Sequence, residues 1–474
     1  MIRVIAAACL VLQMFLFAAA SVAFGASGVS GASGARPPRQ KPNVIIIFAD
    51  DLGYGDLSCY GHPTIRTPNI DRMATEGQRW TDFYVAACVC TPSRAALLTG
   101  RLPVRSGMTS NKKRVLYPTS NGGLPGSEIT LAEGLKQAGY ATGLVGKWHL
   151  GHLPQYLPTS QGFDYYYGLP YSNDMSRVAG APKGRALLEK PRIEYWDTPL
   201  MRGTEIIEQP VDQTTLTRRY TEEAIQFINQ HKDEPFFLYM AHTMPHTPLF
   251  RSKPFENKSR RGLYGDVVEE LDWSVGQVLQ KLRDAELADN TLVVFTSDNG
   301  PWLIRNDLGG SAGLLREGKG SSYEGGMRVP FIAWWPGSIK PAIVSDIGSA
   351  MDLFVTGLKL AGGAVPTDRV IDGVDLTATL LEGKPSPRDH MLFYRHANLW
   401  AVRKGPFKAH FSTPIAYGDF EGTPHDPPLL FNLGVDPGES YNVAAEHPKV
   451  VAELKQLIEA HRRTVEPVEN QMEK

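Results

Sequence analysis

The chain has 474 residues, enough for a large α/β domain and a smaller companion. Hydrophobic residues make up 42% and charged residues 21%, which excludes a disordered or fibrous chain. Lys and Arg number 49 against 50 Asp and Glu, a net charge of −1, so no global basic field exists to hold nucleic acid.

The N-terminus carries Arg3, then an apolar run from Val4 to Phe24, with small residues near Ala23 and Ala26. One positive charge, an apolar core and a small-residue exit describe a secretory signal peptide over residues 1–26. The run is long enough to span a bilayer, but Gln13 and the weak flanks favour cleavage, so no stable membrane span is expected. Residues 27–41 form a Gly/Ser/Pro/Arg leader without periodicity, expected to be disordered. Cys9 leaves with the signal. Cys59, Cys88 and Cys90 remain, an odd number that suggests one has a separate job.

Asn43 to Phe48 reads as a buried parallel strand ended by Asp50-Asp51-Leu52-Gly53. In Cys88-Val89-Cys90-Thr91-Pro92-Ser93-Arg94, Pro92 fits the first turn of a helix that Gly100 closes. That puts Cys90 at a helix N-terminus on the surface, where the dipole favours anions, with Arg94 one turn on. A buried core Cys beside a surface Arg is the bland alternative. Helical patterns follow at Thr130–Ala138, Arg218–His231 and Tyr264–Asp284, and further strands at Phe236–Met240 and Leu292–Thr296. Strands alternating with helices argue for a largely parallel sheet covered on both faces, in a domain over residues 42–365. Beyond it, strands at Met391–Tyr394, Leu399–Arg403, Phe407–Phe411 and Leu429–Leu433 come close together, before an amphipathic helix from Lys449 to Arg462. Residues 366–474 therefore read as an α+β domain with a short antiparallel sheet.

Ligands in open α/β sheets bind at the carboxyl ends of strands. Asp50-Asp51 and Asp298-Asn299 both end apolar strands here. Alone, each reads as readily as a loop acid pair or an Asn-Gly turn. Together, their hard oxygens argue for one shared site for Ca²⁺ or Mg²⁺.

Cys90-Thr91-Pro92-Ser93-Arg94 with Leu98-Thr99-Gly100-Arg101 resembles the first signature of the sulfatase family, and Gly143 to Gly151 (Gly-Leu-Val-Gly-Lys-Trp-His-Leu-Gly) the second. Ala49–Asp56, Thr296–Pro301 and Gly318–Gly326 fit as well, and the resemblance runs from Pro42 to beyond Tyr441. Tyr54–Tyr60, Leu102–Arg105 and Asp436–Glu439 resemble the arylsulfatase A branch. The resemblance implies an alkaline-phosphatase-like fold and a sulfuric ester hydrolase that cleaves sulfate monoesters, of a sulfated sugar or glycolipid. It implies that a formylglycine-generating maturation enzyme oxidises Cys90 to formylglycine, whose hydrate attacks sulfur and then expels sulfate through its second hydroxyl. It assigns Ca²⁺, with Mg²⁺ as the other option, to Asp50, Asp51, Asp298, Asn299 and an oxygen on residue 90. Arg94 and Lys147 would fix formylglycine, and His149 would take a diol proton. Lys319 and a His near Pro245 would bind sulfate and protonate the leaving oxygen. His246-Thr247-Pro248 fits the family spacing, so His246 is chosen over His242, which reads as a loop His with a packing role. Ser172 matches a sulfate-contacting Ser, or it is a loop hydroxyl capping a turn. Asn173 stands where arylsulfatase A has His, so the pocket rim is expected to differ.

Cys59 and Cys88 pair or stay free. With one glycosylation acceptor, Asn257-Lys258-Ser259, the sparse cysteines fit a bacterial periplasmic or secreted enzyme at least as well as a lysosomal or secreted eukaryotic one. Two other functions compete. A phosphoryl or phosphonate ester hydrolase would supply a Ser or Thr nucleophile or more His ligands. An inactive sulfosugar-binding protein would have lost Cys90, Lys147, His149 or Lys319, and all four are present.

Overall fold

The computed structural model describes residues 41–474 apart from 416 and 418. The expected signal peptide and residues 27–40 of the leader lie outside the described residues. The strands in chain order are β1 (Asn43–Ala49), β2 (Gln78–Trp80), β3 (Phe83–Tyr84), β4 (Ala141–Gly146), β5 (Tyr165–Gly168), β6 (Leu200–Arg202), β7 (Glu205–Glu208), β8 (Phe236–Ala241), β9 (Thr291–Ser297), β10 (Phe331–Trp334), β11 (Ala342–Val344) and β12 (Gly348–Ser349). Four more belong to the C-terminal part: β13 (His390–Arg395), β14 (Asn398–Lys404), β15 (Phe407–Pro414) and β16 (Gly422–Asn432).

Ten strands make one sheet in the order β11-β2-β10-β9-β1-β8-β4-β5-β6-β7. Its centre, β9-β1-β8-β4-β5, is parallel throughout. Both margins turn antiparallel, at β10 against β9 and at β6 against β5. β1 shows why the centre is apolar on every residue. Val44, Ile46 and Phe48 pack into a core that includes Leu97, Leu131 and Phe354. Ile45, Ile47 and Ala49 pack into another that includes Ile70, Tyr220 and Leu271. With period-two side chains, a strand covered on both faces has no polar side to show. This is the expected helix-covered, mostly parallel α/β sheet.

β13 to β16 form a separate antiparallel sheet in sequence order, packed by the helix Pro448–Arg462 through Val451, Leu454 and Ile458. The fourth strand begins earlier than its apolar run implies, at Gly422, and includes Pro424, Pro427 and Pro428. It is an edge strand, where missing N–H donors are tolerated. Cys59 and Cys88 are free thiols. Cys88 lies in the first core and Cys59 borders the second, on opposite faces of the sheet. Among the described residues, no helix is long and apolar enough to cross a membrane.

Candidate active site

Four neighbouring parallel strands deliver the site. β9 runs into Asp298-Asn299, β1 into Asp50-Asp51, β8 into the His242–Pro248 loop, and β4 into Lys147 and His149. The strand ends are tied by backbone: Asp298 N–H donates to Ala49 O at 3.1 Å, His242 N–H to Phe48 O at 2.9 Å, and Lys147 N–H to Ala241 O at 2.7 Å. Gly146 makes the last of these possible. Its φ is 118°, and a Cβ there would lie 1.8 Å from Ala241 O.

The helix Cys90–Thr99 aims its N-terminus at these ends and stops at Gly100, which is left-handed at φ 67°. Cys90 is not at the surface as expected. It is 2% exposed, and every residue of its helix is buried. The helix lies inside the first core, so Ala95 to Leu98 are core residues all round and carry no amphipathic signal.

The charges interlock. Lys147 Nζ donates to Asp50 Oδ2 at 2.6 Å, and Lys319 Nζ lies 2.7 Å from Asp51 Oδ1. Arg94 donates to Asp298 Oδ2 through Nε at 3.1 Å and Nη2 at 2.8 Å, and to Lys147 O through Nη1 at 3.1 Å. The Cys90 thiol donates to Asp50 Oδ1 at 3.6 Å. Arg94 and Lys147 therefore reach the carboxylates around residue 90. Oxygen, nitrogen and sulfur donors of Asp50, Asp51, Cys90 and His246 all lie within 4.8 Å of one another. Asn299 joins through Nδ2, which donates to Asp51 Oδ1 at 2.7 Å, while its own Oδ1 is buried with no hydrogen-bond partner. Asp298 Oδ1 accepts from Asp51 N–H at 3.1 Å.

Burial drives the electrostatics. It raises Asp51 to about 7 against the pull of Lys319, with Asp50 and Asp298 adding to the rise. Burial acts on Asp50 too, but Lys147, Arg94 and Lys319 outweigh it and hold that carboxyl below the usual range. Burial pushes the Cys90 thiol well up despite Lys147 and Lys319, so it is no thiolate. His149 and His246 are held neutral, first by burial and then by neighbouring Lys147 and Lys319.

The two histidines are oriented differently. His149, at φ 60°, donates from Nε2–H to Leu116 O at 2.9 Å, which leaves Nδ1 bare, buried and without a partner. His246 sets Nε2 3.6 Å from Asp51 Oδ2 and Nδ1 3.2 Å from Asn173 Oδ1. Asn173 is fully buried rather than on the rim. Its Nδ2 donates to Gln213 Oε1 at 3.0 Å and Pro248 O at 3.1 Å, so its carbonyl oxygen faces His246. His242 points elsewhere, with Nε2 3.4 Å from Ser274 Oγ. Ser172 Oγ accepts from Lys147 Nζ at 3.3 Å and lies 3.5 Å from His246 Nδ1. The structure thus brings together all eleven residues chosen from sequence. The reading missed the orienting role of Asn173 and the cavity wall of Arg114, Asp174, Trp302 and Tyr417, which surrounds about 310 Å³ in front of Cys90. Only Asn173 gave a signal, as the departure in the Tyr171–Asp174 motif.

Three carboxylates and three cations buried at the carboxyl edge of such a sheet define a hydrolase of anionic esters. The chain belongs to the sulfatase family: the family model Sulfatase matches residues 42–364, and the C-terminal region of aryl-sulfatase matches 386–474. It is a sulfatase, an enzyme that hydrolyses sulfate esters. It is 44% identical to arylsulfatase A of Homo sapiens over 450 residues, covering 89% of this chain and 87% of the relative. It is 42% identical to N-acetylgalactosamine-6-sulfatase of Homo sapiens over 467 residues, covering 91% and 88%. Among solved structures, the PsFucS1 sulfatase from Pseudoalteromonas sp. superposes with a TM-score of 0.81 at 30% identity, covering 91% of this chain and 92% of the other.

Proposed function

We propose that the protein is an exported, formylglycine-dependent, Ca²⁺-assisted sulfatase that removes sulfate from a sulfated sugar, with residues 42–365 catalytic and 366–474 a C-terminal domain. The observation that carries the reading is the set of three carboxylates and three cations at the N-terminus of the helix bearing Cys90. Asp50, Asp51 and Asp298 cancel Arg94, Lys147 and Lys319. A divalent cation then leaves an excess of positive charge for a sulfate ester. The residues fit Ca²⁺: all are hard oxygen donors, and the amide oxygen of Asn299 is buried and unused. Asp50, Asp51, Asp298, Asn299 and an oxygen on residue 90 would hold it. When bound, it polarises the sulfate and helps ionise the attacking hydroxyl. Formylglycine at position 90, as its hydrate, would supply one hydroxyl for attack on sulfur and a second through which sulfate is expelled.

The chain's own groups do the rest. Lys147 and Ser172, 3.3 Å apart, bind sulfate oxygens. Arg94 holds Asp298 and the Lys147 backbone in place. His149 takes the diol proton at Nδ1, the ring nitrogen left bare because Nε2–H serves Leu116 O. His246 keeps Nδ1–H on Asn173, so its Nε2 is the end that carries a proton to the departing oxygen, beside Lys319. The substrate's negative charge opposes the burial that otherwise keeps His246 neutral. A sugar as the alcohol follows the name of the N-acetylgalactosamine-6-sulfatase relative. Export follows the apolar run from Val4 to Phe24.

The test is mass spectrometry of the peptide containing Cys90, from protein made beside a maturation system, together with sulfate release from N-acetylgalactosamine 6-sulfate. The thiol should be replaced by an aldehyde, and Cys90→Ala should lose nearly all turnover. A fully active enzyme with an unmodified Cys90 would overturn the mechanism.

A further inference from the structure

Part of the cavity wall has no task in the sulfate chemistry. Asp174 follows Ser172 by two residues and lines the cavity, with Oδ1 buried and without a hydrogen-bond partner. Trp302 lines the same cavity, and its indole Nε1 is likewise buried and unpartnered. Both side chains keep part of their surface open. The indole is braced rather than loose. Arg305 Cζ lies 3.8 Å and Lys319 Nζ 4.4 Å from its ring centroid, and the His246 ring is 5.2 Å away. An acceptor and a donor left unsatisfied at the wall of a cavity destabilise the empty enzyme. The cost is offset if a ligand supplies the missing partners.

We infer that Asp174 and Trp302 recognise hydroxyl groups on the alcohol part of the ester, Asp174 accepting a hydroxyl hydrogen and the Trp302 indole N–H donating to a hydroxyl oxygen. The inference rests on the sulfatase reading above and narrows its substrate to a sulfated sugar with free hydroxyls near the ester. A simple aryl sulfate has none to offer. A pocket built to hydrogen-bond a hydroxyl rejects the analogue lacking it far more strongly than an apolar pocket rejects a missing methylene. The enzyme should therefore discriminate between sugar sulfates by their free hydroxyls as well as by the position of the sulfate.

The experiment compares wild type, Asp174→Ala, Asp174→Asn and Trp302→Phe. Each is assayed on 4-nitrophenyl sulfate and on whichever of galactose 3-, 4- and 6-sulfate and N-acetylgalactosamine 4- and 6-sulfate wild type turns over fastest. The monodeoxy analogues of that sugar are assayed too. Wild type should lose about 10- to 100-fold in kcat/KM on at least one monodeoxy analogue. Asp174→Ala should lose a similar factor on the parent sugar, keep its rate on 4-nitrophenyl sulfate, and no longer distinguish that analogue from the parent. Trp302→Phe keeps the ring and loses the N–H, and should do the same for a second hydroxyl. Equal losses on aryl and sugar sulfates in Asp174→Ala would overturn the inference, because the carboxylate would then only support Ser172. If Asp174→Ala fails to fold, Asp174→Asn decides on the same criterion. Full activity of the variants on the sugar, or a wild type that cleaves 4-nitrophenyl sulfate and none of the sugars, would overturn it as well. A matured wild type that releases sulfate from nothing tested would remove the sulfatase reading itself, and this inference with it.

Discussion

His242 and His246 stand on one loop and have unlike surroundings. His242 is buried against Tyr220 and Ser274, away from the cations. His246 lies against Asp51, Ser172 and Asn173. If His246 protonates the departing oxygen, it matters most when that oxygen leaves as a strongly basic alkoxide. His246→Ala should lose about 10²-fold more kcat on a sugar sulfate than on 4-nitrophenyl sulfate. His242→Ala should show no such asymmetry, and the asymmetry appearing there instead would reverse the assignment. Asn173→Ala should weaken the same preference, because the carbonyl oxygen that holds Nδ1–H is lost and only the Ser172 hydroxyl, which can donate as well as accept, remains beside it. Asp298 is a different case, since it holds Arg94 as well as offering a metal ligand. Asp298→Ala removes the carboxylate that takes two hydrogen bonds from that buried guanidinium and leaves only Asp50 Oδ1, 3.6 Å away, to face it, so chemical denaturation should show a loss of about 3 kcal/mol. Elemental analysis of the same variant should show reduced Ca²⁺.

The segment that carries Lys319 is held by the C-terminal sheet. Lys408 of β15 donates to Ser322 O at 2.9 Å and Glu324 Oε1 at 2.9 Å, and lies 3.0 Å from Glu439 Oε1. Glu324 N–H donates to Glu439 Oε2 at 2.6 Å, and Arg395 of β13 donates to Gly320 O at 2.7 Å. Lys408→Met should cost about 3 kcal/mol by removing the buried cation that two carboxylates share, which leaves Arg328 for Glu324 and His410 for Glu439, again read by denaturant unfolding. Burial would raise Glu324, but Lys408, Arg328 and Arg403 outweigh it and hold its carboxyl at about 2, against 4.5 for the ordinary group. Because the folded value is the lower one, this contribution is complete above about pH 4.5 and is lost as pH falls to about 2. Stability measured across that window should fall more gently in Glu324→Gln than in wild type.

This seam also marks where sequence reading stops. β1, β8 and β9 were legible because a strand buried on both faces is written as an uninterrupted apolar run, and the motifs at their ends were legible because chemistry restricts residue type. The helix of Cys90 was legible through Pro92 and Gly100, but its depth was not. Burial on all sides depends on what lies above the helix, and a short stretch of small and apolar residues has no face to read. The grip of β13 and β15 on residues 320–324 joins residues 75 to 86 positions apart, which no local pattern encodes. Asp174 and Trp302 were unreadable for the same reason, since an unsatisfied atom is a property of its surroundings.

At the scale of the molecule, the site is assembled from segments far apart in the chain. Asp51 and Asn299 are 248 positions apart, and Lys147 and Asp50 are 97 apart. A ligand bound there therefore favours the folded chain over any fragment of it. At a free Ca²⁺ concentration of about 100 times its Kd, the stabilisation should be about 2.7 kcal/mol. Thermal unfolding with and without chelator should show the corresponding rise in midpoint, largest in wild type and smallest in Asp298→Ala. An unchanged midpoint in wild type would count against a metal at these ligands.

The depth of residue 90 has a temporal meaning. Under the proposed conversion of Cys90, a side chain 2% exposed within a wholly buried helix offers an enzyme no access once the sheet has closed. Conversion and folding would then compete. If Cys90 is converted as proposed, molecules that close first would form a folded fraction that keeps the thiol. Specific activity would then record the history of synthesis: slower folding or a more abundant modifier raises the active share, and the two populations differ by one residue while sharing every contact described above.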